Sequence, residues 1–239
     1  MALFIGTSGF GYNHWVGKFY PEELPKGKWL SFYAQHFSSV EINYSFYHIP
    51  RETTLEKWYD EAPEGFVYTL KGSRLITHRS DRKQAQFMLI KFLKLSHILG
   101  EKMGVILLQF PPYVKDIDFI RSLADIPYPQ ERVAFEFRNE LLFTDEVMDI
   151  LRERNIAFVF ASSTKFEPLF VRTADFVYFR FHGNRRLYAS SYSDGELEYF
   201  AEKIKEYLSL GLDVYAYFNN DAQGFAVDNA LTLKRLVSR

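Results

Sequence analysis

Eight short β-type runs, seven of them followed by a helical stretch, leave this chain few folds to choose from. The pattern predicts strands over Leu3–Ser8, Ser39–Tyr44, Phe66–Lys71, Val105–Phe110, Arg132–Arg138, Ile156–Ala161, Phe176–His182 and Asp213–Asn219. It predicts helices near Lys28–Phe37, Thr53–Ala62, Lys83–Leu99, Ile117–Ala124, Asp145–Arg154, Asp194–Leu210 and Asp221–Leu236. The link Ser162–Asp175 reads as irregular, with room for a short helix at most. Thr53 or Thr54 and Ser193 or Asp194 are suitable helix N-caps, and Gly211 is a suitable C-terminal stop.

Such alternation points to βαβ units and a parallel sheet. A closed barrel and an open doubly wound sheet both accept it. Eight units within 239 residues favour the barrel, whose usual size is roughly 250 residues. The expectation is an α/β chain forming a single parallel (β/α)8 TIM-barrel domain over residues 1–239. No Gly-x-Gly-x-x-Gly turn follows the first strand, so no nucleotide cofactor is expected. Gly6-Thr7-Ser8-Gly9-Phe10-Gly11 lacks the lysine and spacing of a phosphate-binding loop and reads as a tight strand-to-loop turn.

Strand side chains alternate between faces, and in a barrel the outer face packs beneath helices. In the fifth run Val133, Phe135 and Phe137 oppose Ala134, Glu136 and Arg138. In the seventh Val177, Phe179 and Phe181 oppose Tyr178, Arg180 and His182. In the eighth Val214, Ala216 and Phe218 oppose Tyr215, Tyr217 and Asn219, and in the second Val40 and Ile42 oppose Glu41 and Asn43. Lys71 falls in line with Val67 and Thr69, and Gln109 with Val105 and Leu107. The polar residues thus share the inner face and gather at the C-terminal ends, where barrels of this kind carry their active sites. The competing reading is an ion-pair plug of the mouth, such as Glu136 with Arg138 or Arg180.

These residues belong to longer stretches: Gly6-Thr7-Ser8-Gly9 with Tyr12, Trp15, Gly17 and Phe19-Tyr20-Pro21; Glu41-Ile42-Asn43 with Phe46-Tyr47; and Leu107-Leu108-Gln109-Phe110-Pro111-Pro112. Others are Glu136-Phe137-Arg138, Tyr178-Phe179-Arg180-Phe181-His182-Gly183 and Tyr217-Phe218-Asn219-Asn220-Asp221. Together they resemble the domain of unknown function 72 family, the YecE-like proteins, from the first strand to the last helix. The resemblance implies a TIM barrel and a broad kinship with sugar-isomerase-like barrels. The chain departs from that pattern at Asn139-Glu140-Leu141-Leu142-Phe143, where the family commonly shows His and then Ser-Trp, and Phe10 replaces a frequent tryptophan.

The expected function is an enzyme, an acid/base isomerase or hydrolase acting on a small anionic or sugar-like substrate. Glu41 or Glu136 would be general acid or base, with His182 relaying a proton. Lys71, Arg138 and Arg180 would hold an anion or stabilise developing negative charge. Lys71 could instead form a Schiff base. Asn43, Gln109, Asn219 and Asp221 would contact substrate, with Tyr12, Trp15 and Tyr47 as walls. Glu41, Glu136, His182 and Asp221 are also of the type that ligates Mg or Mn, but neighbouring cations would compete for the carboxylates. The other histidines are scattered without metal spacing.

The alternative is a nucleic-acid binder or an endonuclease IV-like phosphodiesterase. Arg74, His78, Arg79, Arg82 and Lys83 after the third strand, and Arg185 and Arg186 after the seventh, would grip phosphates. The net charge of −1 supplies no global pull toward nucleic acid or membrane. The absence of cysteine excludes thiolate chemistry. The N-terminus lacks the basic segment and apolar run of a signal peptide. A cytoplasmic location without membrane association is therefore expected. The oligomeric state is left open.

Overall fold

A computed structural model of the chain describes residues 1–78, 81–128, 131–165 and 167–238. Its strands are β1 (Leu3–Thr7), β2 (Ser39–Ile42), β3 (Val67–Lys71), β4 (Met103–Phe110), β5 (Arg132–Phe137), β6 (Ala157–Ser162), β7 (Phe176–Phe181) and β8 (Asp213–Phe218). They form one parallel sheet in the order β1-β8-β7-β6-β5-β4-β3-β2. The helices among the described residues are α1 (Trp29–His36), α2 (Tyr44–Tyr47), α3 (Glu52–Glu61), α4 (Arg74–Thr77), α5 (Arg82–Ser96), α6 (Ile117–Ala124), α7 (Asp145–Glu153), α8 (Asp194–Ser209) and α9 (Phe225–Val237). Eight parallel strands alternating with helices make this the expected (β/α)8 barrel.

The pleat sorts the side chains as their alternation requires. Val40, Ile42, Val133, Phe135, Phe137, Val177, Phe179, Phe181, Val214 and Phe218 lie in the core between strands and helices. Val105, Leu107, Ala134, Val159, Phe176, Tyr178, Tyr215 and Tyr217 fill the barrel interior. The N-terminal end is closed by Arg132, which donates to Asp213 at 2.6 Å and to the Tyr215 hydroxyl at 3.0 Å.

The seam between β1 and β2 differs from the other seven. The strands meet through a single bridge, Ser8 with Glu41, whose Gly9 N–H to Glu41 carbonyl distance is 2.7 Å. Below the bridge the ladder is replaced by the Tyr33 hydroxyl from α1. It accepts from the Thr7 N–H at 2.9 Å and donates to the Ser39 carbonyl at 3.2 Å. A Cβ on Gly6 would stand 2.2 Å from the Ser39 carbonyl oxygen and 2.9 Å from the Tyr33 hydroxyl. Only glycine allows that approach. Tyr33→Phe would strand a buried donor and a buried acceptor, costing about 1–3 kcal/mol and lowering Tm by about 3–10 °C. Thermal unfolding checks this, and an unchanged Tm would mean that the hydroxyl does not hold the seam.

Three local expectations need correction. Neither Thr53 nor Thr54 caps α3, which starts one residue earlier at Glu52 with Arg51 in the extended cap position. The last helix begins at Phe225 rather than Asp221, because Gly224 takes a left-handed turn at φ 84°. Asn43–Tyr47 leaves the second strand for the short α2, so Tyr44 is not a strand residue. Ser193 does cap α8, in a capping box with Glu196, and Gly211 ends it at φ 79°. Between β6 and β7 the described residues form no helix. Phe170 covers the barrel there, packing on Phe160 at 5.3 Å and Phe179 at 6.2 Å between ring centroids.

Candidate functional site

The C-terminal mouth is built on the register of its strands. Gln109 on β4 pairs with Glu136 on β5, and Arg180 on β7 pairs with Tyr217 on β8. These inward positions converge with Glu41 from across the barrel on one buried array. Glu41 accepts from Ser8 Oγ at 2.6 Å and Tyr178 Oη at 2.7 Å. Arg180 adds Nε at 2.8 Å and Nη2 at 2.5 Å. Arg180 Nη1 donates to Gln109 Oε1 at 3.1 Å and also to Glu136. Glu136 Oε1 takes Arg138 Nη2 at 2.8 Å and lies 3.0 Å from His182 Nε2. Two arginines thus neutralise two carboxylates, and Glu41, Glu136, Arg180 and His182 are all fully buried.

This pairing sets the protonation states. Burial pushes both carboxyls up, but Arg180 holds Glu41 below its ordinary value, and Arg138 and Arg180 hold Glu136 well below. Both are fixed anions. Burial drives the His182 imidazole down to about 3 against the opposing pull of Glu136, so the ring is neutral at pH 7. Its Nδ1 stands 3.3 Å from Asn219 Nδ2, and its Nε2 stands 2.8 Å from Arg138 Nη2. A neutral ring carries one proton, so Nε2 either donates to Glu136 or accepts from Arg138.

Lys71, at the end of β3, differs from its neighbours. It is 9% exposed, its Nζ lies 4.1 Å from the centroid of the Phe46 ring, and its backbone carbonyl accepts from Ser45 Oγ at 2.7 Å. Among the described residues no carboxylate pairs with its amine. Burial and then Arg180 lower its pKa to about 7, although Glu136 and Glu41 pull the other way. Unlike Glu41, Glu136 and His182, it is brought to where it can exchange a proton near neutrality.

Lys71 opens onto a cavity of about 460 Å³ lined also by Tyr12, His14, Asn43, Tyr47, Tyr188, Asn219 and Asp221. The wall mixes aromatic rings with hydroxyl and amide groups. Asp221 accepts from the Trp15 indole N–H at 2.8 Å and lies 2.9 Å from His14 Nε2. Burial raises its carboxyl, while Trp15 and His14 oppose that shift. Tyr12 donates to the Ser8 carbonyl at 2.6 Å. Asn43 Oδ1 and Arg138 Nε are buried without a hydrogen-bond partner, which is uncommon in a finished interior.

The structure therefore gathers Glu41, Lys71, Gln109, Glu136, Arg138, Arg180, His182 and Asn219 at one mouth, with Tyr12, Asn43 and Asp221 on the cavity wall. It separates two layers that parity had merged, a sealed array and an open cavity. Trp15 is not a wall residue. It is fully buried and acts behind the wall on Asp221. His14 and Tyr188 are wall residues that motif reading missed. His14 showed no metal spacing, yet its position in the loop after β1 puts it at the mouth. Tyr188, in the loop after β7, holds φ 61° with its ring edge-on to His182 at 5.5 Å. Glu41, Glu136, His182 and Asp221 do not form a metal cluster, and no group of three or more metal-ligating side chains occurs among the described residues.

Of the basic loop residues, Arg82 is engaged by Asp116 at 2.8 Å and Asp118 at 3.7 Å. Arg74, Arg185 and Arg186 are exposed, as is Lys83. Arg79 lies outside the described residues. No helix among the described residues is long and apolar enough to cross a membrane.

The family model described as "Protein of unknown function DUF72" matches residues 4–239. The chain belongs to the DUF72 family. UPF0759 protein YunF of Bacillus subtilis is 25% identical over an alignment covering 98% of this chain and 94% of YunF. UPF0759 protein YecE of Escherichia coli is 27% identical over 34% of the chain and 30% of YecE. A crystal structure of a DUF72 family protein from Thermotoga maritima superposes with a TM-score of 0.86 at 28% identity, covering all of both chains. One from Enterococcus faecalis has a TM-score of 0.84 at 20% identity, covering 99% of this chain and 96% of that one, and shares the fold. The segment where this chain departs from the DUF72 pattern forms a short turn, Glu140–Leu142, with Asn139 Nδ2 donating to the Pro112 carbonyl at 2.8 Å. None of these residues lines the cavity.

Proposed function

We propose that this DUF72 protein is an enzyme that performs acid/base chemistry on a small anionic or sugar-like molecule in the mouth cavity, with Lys71 as its proton-transfer group. The observation that carries this reading is the charge balance of the mouth. Glu41, Glu136, Arg138 and Arg180 satisfy one another, and Asp221 is engaged by Trp15 and His14, so among the described charged side chains of the mouth Lys71 is left without an ion-pair partner. A purely structural plug would have no use for a fifth, unpaired ionisable group at a cost in desolvation. Both carboxylates are too firmly ionised to serve as acids near neutrality, and the best proton carrier has a pKa near the working pH. Lys71 meets that condition. Glu41 and Glu136 then set the field around it, and His182 and Asn219 orient Arg138. The unpaired Arg138 Nε is a further donor for an anion.

Solvent exchange tests the reading. Dihydroxyacetone phosphate, ribose 5-phosphate and the unphosphorylated sugars are incubated with the protein in deuterium oxide, and exchange next to the carbonyl is followed by NMR. Exchange is expected to rise through pH 7 and to fall at least about 100-fold in Lys71→Met, within the usual range for losing a general base. Absence of exchange with all these probes, or an unaffected Lys71→Met, would overturn it.

A further inference from the structure

Resting on that reading of the mouth, we propose that Lys71 is a nucleophile, and that its amine forms an imine with the carbonyl carbon of a small polyhydroxylated aldehyde or ketone.

Three observations converge on this chemistry. Among the described residues no carboxylate pairs with the amine to hold it as an ammonium ion, and Phe46 covers one side of it at 4.1 Å in a cation–π contact that holds the charge less firmly than an ion pair would. The ring offers no acceptor lone pair, so the amine is left to the cavity that Lys71 lines. Arg138 and Arg180 are committed to Glu136 and Glu41 and do not line the cavity, while burial and the neighbouring Arg180 charge disfavour a permanent ammonium clamp at Lys71. What Lys71 adds is an amine that burial and Arg180 bring to a pKa of about 7, so that a substantial share is in the uncharged form that attacks carbonyls near neutral pH. The wall is suited to a polyol. Tyr12, Tyr47 and Tyr188 line the cavity with aromatic side chains, the Tyr12 hydroxyl being held by the Ser8 carbonyl, and Asn43 and Asn219 line it with amides. Asn43 Oδ1 is an acceptor without a partner, matched to a substrate hydroxyl.

The step balances without an external oxidant or reductant. The Lys71 lone pair forms the C–N bond while the carbonyl π pair moves to oxygen. A proton passes from nitrogen to that oxygen, giving a carbinolamine. The C–O bond then breaks, and oxygen leaves as water with a second proton. Asp221, paired with His14 on the same wall, supplies and recovers the protons. The products are the imine and one water.

Reductive trapping tests this directly. The full chain is incubated at pH 7.5 with glyceraldehyde, dihydroxyacetone or ribose 5-phosphate and cyanoborohydride, then mapped by peptide mass spectrometry. The expected result is one adduct on the Lys71 peptide, formed at least tenfold faster than on exposed lysines such as Lys57 or Lys91 in the same sample. Because the comparison is internal to the wild-type protein, it does not depend on any variant folding. Lys71→Arg should abolish that adduct and leave the surface adducts unchanged. Adducts spread evenly over the lysines with all three probes, or one that survives Lys71→Arg, would overturn the inference. Lys71-dependent deuterium exchange without an adduct would overturn the imine alone and leave the acid/base reading. Loss of both would overturn both.

Discussion

Arg180→Met is expected to cost about 3–5 kcal/mol of folding stability at neutral pH, the usual penalty for breaking a buried ion pair from one side. The guanidinium is the shared counter-ion of Glu41 and Glu136. Without it Glu136 keeps Arg138, but Glu41 keeps only the hydroxyls of Ser8 and Tyr178. The variant should also reverse the protein's response to acid. In the wild type the Glu41 pKa is lowered. Its contribution is therefore present above the ordinary carboxylate pKa, and it is lost as pH falls through the folded-state value. In Arg180→Met burial is opposed only by the Ser8 and Tyr178 hydroxyls and raises that pKa above the unfolded value. The penalty is then full at high pH and is relieved as pH falls through the raised value. Urea midpoints from pH 5 to pH 8 would show it. The variant should gain on the wild type toward pH 5, and a constant gap would mean that Glu41 is not an anion dependent on Arg180.

Lys71→Met is expected to act in the opposite direction on stability while removing activity. An amine whose folded-state pKa has fallen from 10.5 to about 7 must shed its proton, or bury it, when the chain folds. Between those two pH values the unfolded chain binds more protons, so wild-type stability rises with pH across that window. Methionine has no such cost. Its advantage should be about 2–5 kcal/mol at pH 6–7, shrinking steadily toward pH 10. Paired thermal or urea unfolding at pH 6, 8 and 10 would measure it. A variant no more stable than wild type at pH 6 would mean that the amine is readily charged in the fold, and the proton-transfer role would go with it. A residue kept at a cost to stability is what an active site leads one to expect.

Much of the architecture was legible because barrel strands announce themselves locally. Period-two alternation in β5, β7 and β8 separated the helix-facing from the inward residues, and the structure follows that division residue by residue. Motifs at the strand ends likewise brought Glu41, Lys71, Glu136, Arg138, Arg180 and His182 to one mouth. Turn residues were read less well. Thr53 and Thr54 look like caps by type, but the chain enters α3 from Arg51 after Pro50. The β1–β2 seam was invisible, since Tyr33 reads as an ordinary helix aromatic until it is seen between two strands.

The sequence by itself determined the barrel, the inward face and the polar groups that its strands bring to the mouth, because each depends on periodicity within a single run of residues; the loop residues His14 and Tyr188 lie outside that periodicity. Only the tertiary structure decided how those groups divide their charges. Glu41 and Arg180 are 139 positions apart in the chain and meet across the barrel, and Trp15 reaches Asp221 over 206. Electrostatic energy depends on such distances and on exclusion of water, and neither is encoded in spacing along the chain. Two carboxylates of apparently equal promise are therefore sealed as fixed anions, while a lysine that looked like one cation among several stands unpaired at the cavity.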